Sequence, residues 1–306
     1  MTDKHSVQTI SLDPDHRRRS VGFWLGFVGV ALFAMTLPMS RLAVGDASAP
    51  QLSPTFVTAG RAAIAGLLSI LWLLAVGAPR PQRAHWLPLA ISAAGTVIGF
   101  PIFLNSALRE VESIHAAVIT GILPLATASI AALTMRTRAS LTFWLLAILG
   151  CGLILTFAFI QGGGRPVAAD ALLLLAVLSA SIGYVAGARV AMDLPGEQTI
   201  CWVLILSLPL TAPVAWLTLP TAPISSSAWL GFGYVTLFSM WIGFFFWYRG
   251  LALGGVMRVS QVQLLQPFLA LLFAVPIAGE TLDAVTVGFA LAIVAVVFAS
   301  RKTASR

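Results

Sequence analysis

The chain has 306 residues, 58% of them hydrophobic and only 9% charged, with a formal net charge of +7. A soluble domain carries roughly 25% charged residues, so a water-soluble globular fold is excluded and a membrane protein remains. The basic residues are spread over short connections and do not gather with aromatics on one polar face, which also excludes nucleic acid as a partner.

From Met1 to Ser20 the chain is polar, with Lys4 and the run Arg17, Arg18, Arg19, and residues 1–20 read as a disordered cytoplasmic tail. A cleaved signal peptide or a twin-arginine signal at "RRRSVGFW" is disfavoured, because the apolar stretch that follows is too long and many more come after it. Continuously apolar blocks of about 20 residues each suffice to cross a hydrocarbon layer of ~30 Å as helices. Ten are predicted, at 21–44, 55–77, 86–108, 113–134, 141–160, 168–190, 198–217, 228–251, 256–277 and 282–300. Residues 301–306 form a cytoplasmic tail. A transmembrane barrel would show alternating strands of about ten residues instead. The expected fold class is therefore an all-α polytopic membrane protein whose lipid-facing surface takes the bilayer as its solvent.

In the first span Thr36 lies inside and Arg41 sits near an end, where its charge can snorkel. Arg61 of the second span is seven residues past Pro54, about 10 Å deep at ~1.5 Å per residue. It suits either a structural role or pairing with a substrate carboxylate, since a charge inside a span costs about 2.5–3.5 kcal/mol on insertion scales. Asn105 follows in the third span. The fourth holds His115, Thr120, Gly121 and Pro124, and the sixth holds Tyr184. The eighth carries Trp241 near its middle, able to stack on a ligand, and then Trp247 and Tyr248, read as interfacial belt like Trp24, Trp86 and Trp229. Cys151 and Cys201 stand alone in separate spans and read as small buried hydrophobes. The acidic residues Glu110, Glu112, Glu280 and Asp283 fall in or beside loops, so no buried carboxylate relay is expected.

The ninth span contains "VSQVQLLQP", Val259 to Pro267, where Ser260, Gln261, Gln263, Gln266 and Pro267 interrupt hydrocarbon. A proline lacks its amide donor and crowds the carbonyl four residues earlier, so Pro267 frees the carbonyl of Gln263 and Pro124 that of Thr120. Ser260, Gln263 and Pro267 share one helical face, as do Ala117, Thr120 and Pro124. Gln261 points elsewhere and reads as interhelical glue, and glue is a competing reading for each glutamine.

These two prolines also mark a repeat. "HAAVITGILP", His115 to Pro124, aligns with "RVSQVQLLQP", Arg258 to Pro267, and Ser40-Arg41-Leu42-Ala43 aligns with Ala188-Arg189-Val190-Ala191. Thr36 then matches Tyr184, and Asn105 matches Tyr248. Two five-span halves result, 21–160 and 168–300. Five is odd, so the second is inverted relative to the first. Arg80, Arg83, Arg136, Arg138, Arg189, Arg249 and Arg258 fall in connections on one side, and Arg109 and Arg165 on the other. By the positive-inside rule both termini are cytoplasmic, in a bacterial inner membrane.

No Walker loop, zinc-ligand histidine pair or serine elbow is present, so the chain does not read as an enzyme and calls for neither metal nor cofactor. The residues expected to line a substrate site are Gln263, Gln266, Ser260, Thr120, Arg61, Asn105, Tyr184 and Trp241. Bending is expected at Pro124, Pro267 and Gly121. The rival reading is a non-transporting assembly or sensor module whose polar residues only join helices. A homo-oligomer is left open.

The ten-span pattern with its paired prolines resembles the EamA family of the drug/metabolite transporter superfamily. "LSPTFVTAGRAAIAG", Leu52 to Gly66, is similar to that family's loop and arginine at the start of the second span. "LLQPFLALLFAVPIAGETL", Leu264 to Leu282, resembles its ninth span followed by a Gly-Glu pair, here Gly279-Glu280. The first half departs, with Thr137 where a symmetric glutamate would stand. The resemblance implies a secondary carrier that exports small polar metabolites, such as amino acids and related compounds, by alternating access at a cavity between the halves.

Overall fold

The computed structural model describes residues 14–134, 140–165, 167–255 and 259–303. Eight helical stretches are long and apolar enough to cross a membrane: Arg18–Val44, Pro54–Ala75, Arg83–Ala107, Ser113–Thr134, Leu141–Gln161, Ala168–Val190, Gly196–Leu217 and Ser226–Gly254. Two shorter apolar helices, Val262–Ala278 and Ala284–Ser300, complete the set. They are the first to tenth spans below. The helix of the first span begins at Pro14, inside the tail expected over 1–20, whose residues 1–13 lie outside the described ones. Proline at a first helical position needs no amide partner and starts a helix readily. At the other end the tenth helix runs to Thr303, into the expected tail.

Short polar side chains start the helices. Ser53 Oγ accepts from the Phe56 amide at 3.0 Å ahead of Pro54, Ser225 Oγ accepts from Ala228 at 3.2 Å, and Asp283 Oδ1 accepts from Thr286 at 2.8 Å. Each satisfies one of the otherwise orphaned first-turn donors.

Bending was expected at Pro124, Pro267 and Gly121, and more spans than the fourth and ninth are interrupted. The first breaks at Met35, three residues before Pro38, which has no amide to give to the carbonyl of Ala34 four positions back. The third changes to π geometry over Ala93–Gly99 and recovers at Phe100, beside Pro101. The fourth breaks after Thr120 and resumes at Leu123, beside Pro124. The ninth runs as a 3-10 helix over Ser260–Leu265 and becomes α from Gln266, beside Pro267. In that tighter turn the Gln266 amide bonds the Gln263 carbonyl, so the carbonyl expected to be free is taken. The eighth span holds a second π segment, Val235–Ile242, with no proline in it.

Packing runs mostly between residues 14–161 and 168–303. The first span lies against the eighth, the second against the seventh, the third against the sixth, the fourth against the ninth and the fifth against the tenth. Glycines permit the closest of these approaches. A Cβ on Gly22 would sit 2.1 Å from the Gly254 nitrogen, and one on Gly95 would sit 2.4 Å from the Ser179 carbonyl. Small residues at helix crossings let backbones touch, which is how membrane helices associate when hydrophobic exclusion from lipid cannot drive them.

The outer surface carries exposed Leu71, Leu74, Leu87, Leu141, Ile148, Trp216, Leu217 and Leu230, a hydrocarbon face that meets lipid. Cys151 is exposed on this face, contrary to the buried position expected; Cys201 is buried. Trp24, Trp86 and Trp229 are exposed near span ends, but Trp247 is 8% exposed and packs with Val30, Val259 and Val262. The belt reading of Trp247 is thus corrected: its span ends at Gly254, which puts Trp247 two turns inside, where the first span covers it.

Candidate functional site

Buried polar groups gather around the second span. Thr58 and Arg61 are three residues apart and share a face of that helix. Asn105 of the third span, fully buried, donates from Nδ2 to Thr58 Oγ1 at 3.3 Å, while its Oδ1 has no partner. Arg61 is 3% exposed and its Nη2 points at the Met240 sulfur, 3.8 Å away; Nε and Nη1 have no partner. A thioether is a weak acceptor. The ion pairs among the described residues are Arg41–Asp46, His85–Asp193 and His115–Asp170, and none reaches Arg61. Tyr184 of the sixth span lies within electrostatic reach of Arg61, and Tyr248 within reach of Tyr184. Next to Met240, Ser239 Oγ is 2.8 Å from Thr36 Oγ1 of the first span. Spans one, two, three, six and eight thus all send polar groups into the interior.

The other expected site residues are distributed differently. Gln263 and Gln266 are half-buried at the junction of 3-10 and α geometry in the ninth span. The side chains of Ser260 and Gln261 lie outside the described residues, as does Thr137. Thr120 Oγ1 donates to the Ala116 carbonyl at 2.7 Å, so its proton is used within its own helix. Gly121 ends that helix, its amide bonding Ala117 at 3.0 Å, and Pro124 sits just past the break. Trp241 rests against Phe245, with ring centroids 4.9 Å apart, and like Ser69 it neighbours Cys201.

Two features at the loop end that also holds Asp46 went unread in the sequence. Glu280, placed there in a loop, is buried: it accepts from the Ser113 amide at 2.7 Å, the Ser113 hydroxyl at 2.9 Å and the Ile114 amide at 2.8 Å. A carboxylate on the free amides of a helix N-terminus is favoured by both hydrogen bonding and the helix dipole. Asp170, in the first turn of the sixth span, lies 2.6 Å from His115 Nε2, with its second oxygen unpartnered. The sequence signal for Asp170 was an acidic residue beside a helix start, which is also where solvated acids occur, and for Glu280 it was the Gly-Glu pair after the ninth span, with nothing in it to mark burial. At this end Arg41 bonds the Leu108 carbonyl and neighbours Asp46, whose carboxyl the Ser48 side chain and the Ala49 amide hold below the usual carboxylate range. At the opposite end His85 Nε2 is 3.0 Å from Asp193.

The sequence pattern of the EamA-like transporter family matches residues 20–158 and again 167–301. An "Uncharacterized transporter YdeK" of Bacillus subtilis (strain 168) is 42% identical over 284 residues, 92% of this chain and 97% of its own. A solved crystal structure superposes with a TM-score of 0.61 over 92% of this chain and 95% of that one, at 20% identity, and shares the fold. With two family matches that together span nearly all of its helices, the chain belongs to the EamA-like transporter family of the drug/metabolite transporter superfamily and is a multi-pass membrane transporter.

Proposed function

We propose that the protein is a secondary carrier of the bacterial inner membrane, with both termini cytoplasmic, that exports small polar metabolites by alternating access. The observation that carries this reading is the matched irregularity of the two halves. The fourth and ninth spans both leave α geometry beside a proline, and the third and eighth both contain a π segment. Backbone that departs from the helix at membrane depth leaves polar groups available to a solute and offers low-energy bending points.

The halves 21–160 and 168–300 act in this reading as inverted five-helix repeats. Their span-by-span packing, first on eighth and third on sixth, is what a twofold axis in the membrane plane would relate. Gln263 and Gln266 of the ninth span and Thr120 of the fourth contact the substrate together with Asn105, Tyr184 and Arg61. Pro124, Pro267 and Gly121 accommodate the bending that opens each side in turn.

Metabolite profiling of medium from cells producing the intact chain, Gln263→Ala, or neither tests this reading. Compounds enriched only with the intact chain, at equal membrane protein levels, support export through Gln263. Identical profiles with well-inserted protein refute it and favour a module whose polar residues only join helices.

A further inference from the structure

Arg61 is the one buried charged side chain, among the described residues, with neither a counterion nor a hydrogen bond to an oxygen. We infer that it is the seat of a substrate carboxylate, and that the exported metabolite is an organic anion that gives its charged end to Arg61. The inference rests on the transport reading above and narrows its substrate class.

A guanidinium buried in a low-dielectric interior is strongly disfavoured unless it is paired or hydrogen-bonded. Arg61 is 3% exposed, and the sulfur of Met240, 3.8 Å away, meets only one of its nitrogens. Nε and Nη1 remain as buried, unpartnered donors. Nη2 forms one carboxylate-binding edge with Nε and the other with Nη1, so each edge has one unpartnered donor and shares the nitrogen that faces only the weak thioether. A carboxylate taking the place of the sulfur fills either edge with parallel hydrogen bonds. The other arginines differ. Arg41 has the Leu108 carbonyl and Asp46, and Arg109 has the carbonyls of Gln51 and Leu52. Those are arginines with structural work to do, whereas Arg61 has almost none.

The surroundings select further. Asn105 Oδ1, bound through its own amide to Thr58 one turn from Arg61, is a buried acceptor without a donor. It suits a hydroxyl or amide N–H on the same ligand. Among the described residues no acidic side chain pairs with Arg61 or Asn105, so an ammonium near this carboxylate would find neutral acceptors only. A single cation also matches a monoanion better than a phosphate dianion.

The test begins with thermal stability of the purified protein in detergent, intact and as Arg61→Met and Arg61→Lys. Removing a cation that serves only a ligand relieves its burial, so Arg61→Met is expected to melt at the same or a higher temperature than the intact chain without ligand. A structural arginine gives the opposite, and a lower melting temperature for Arg61→Met overturns the proposal. The second arm adds a panel of benzoate, hexanoate, N-acetyl amino acids and free amino acids, each beside its primary amide, with inorganic phosphate as a control. At least one carboxylate is expected to raise the melting temperature of the intact protein while its amide does not. That response should weaken by roughly 10²-fold in apparent affinity with Arg61→Met and survive in part with Arg61→Lys. A panel in which phosphate alone acts, none acts, or the carboxylate acts equally on Arg61→Met overturns it. Profiling the medium of cells producing intact or Arg61→Met protein separates the two levels of the argument. Exported compounds that lack a carboxylate sink the substrate class and leave export standing; an absence of exported compounds sinks export itself.

Discussion

The Glu280 carboxylate and the Ser113 backbone amide are 2.7 Å apart, although 167 residues separate them. With the Ser113 hydroxyl and the Ile114 amide, this contact ties the connection between the ninth and tenth spans to the first turn of the fourth. Glu280→Ala removes the cap and leaves buried amides unpaired, for a loss of roughly 2–4 kcal/mol in stability. Glu280→Gln keeps one acceptor and should lose less. Melting temperatures of the two purified variants check the order; equal values for Glu280→Ala and the intact chain would contradict it.

The first and eighth spans meet glycine to glycine. A methyl on Gly250 would lie 2.5 Å from the Gly26 nitrogen and 2.8 Å from its Cα, all backbone that cannot step aside. Gly250→Ala should therefore destabilise the protein by about 1–3 kcal/mol, as overpacking does. Gly152→Ala, where a methyl meets nothing within 4 Å, is the matched control and should be silent. Detergent melting curves of the pair decide.

His115 and Asp170 form a buried pair between the fourth and sixth spans. His115→Phe strands both Asp170 oxygens, one already unpartnered, and should cost roughly 1–3 kcal/mol. The double variant His115→Phe, Asp170→Asn should be more stable than the sum of the single losses implies, because the stranded charge is gone. A double-mutant cycle on melting free energies measures the coupling, and additive losses would count against the pair.

Asp283 caps the tenth span through the Thr286 amide at 2.8 Å and hydroxyl at 2.7 Å, and those bonds hold its carboxyl below the usual carboxylate range. A folded-state value below the unfolded one means that the charged form stabilises the fold. Its contribution is complete above the unfolded pKa of about 3.9 and is lost as pH falls through the folded value. Asp283→Asn should lower stability at pH 7 and flatten its decline below about pH 4. Melting curves from pH 7 to pH 3 compare the slopes; parallel slopes would rule this cap out as their source.

Ten spans were legible because each is a block of apolar residues, and the boundaries differ by at most three positions from the spans observed, except at the start of the ninth. That start was expected at 256, where residues 256–258 lie outside the described ones and the apolar helix begins at Val262. The prolines announced where helices would be disturbed, since a missing amide is a property of the residue alone. How each disturbance resolves was hidden. The Gln263 carbonyl is taken by the Gln266 amide, and the eighth-span π segment has no proline to mark it. Burial was hidden as well: Trp247 looks interfacial by position, and Glu280 looks like a loop acid, until the facing helix is known. Arg61 was visible as a charge in a span. Its lack of a counterion is a property of five helices together, which no local stretch encodes.

The pairing of early spans with late ones also constrains how the protein is made. While the first five helices leave the ribosome, the surfaces that Gly22, Gly26, Gly95 and Ser113 present have no counterpart yet, because Gly254, Gly250, Ser179 and Glu280 are still to be synthesised. The nascent first half must wait in the membrane as loosely associated helices, and compaction begins when the sixth span arrives beside the third. Truncation after residue 161 should thus yield an inserted fragment that quality-control proteases remove, and supplying residues 168–306 as a separate chain should rescue it.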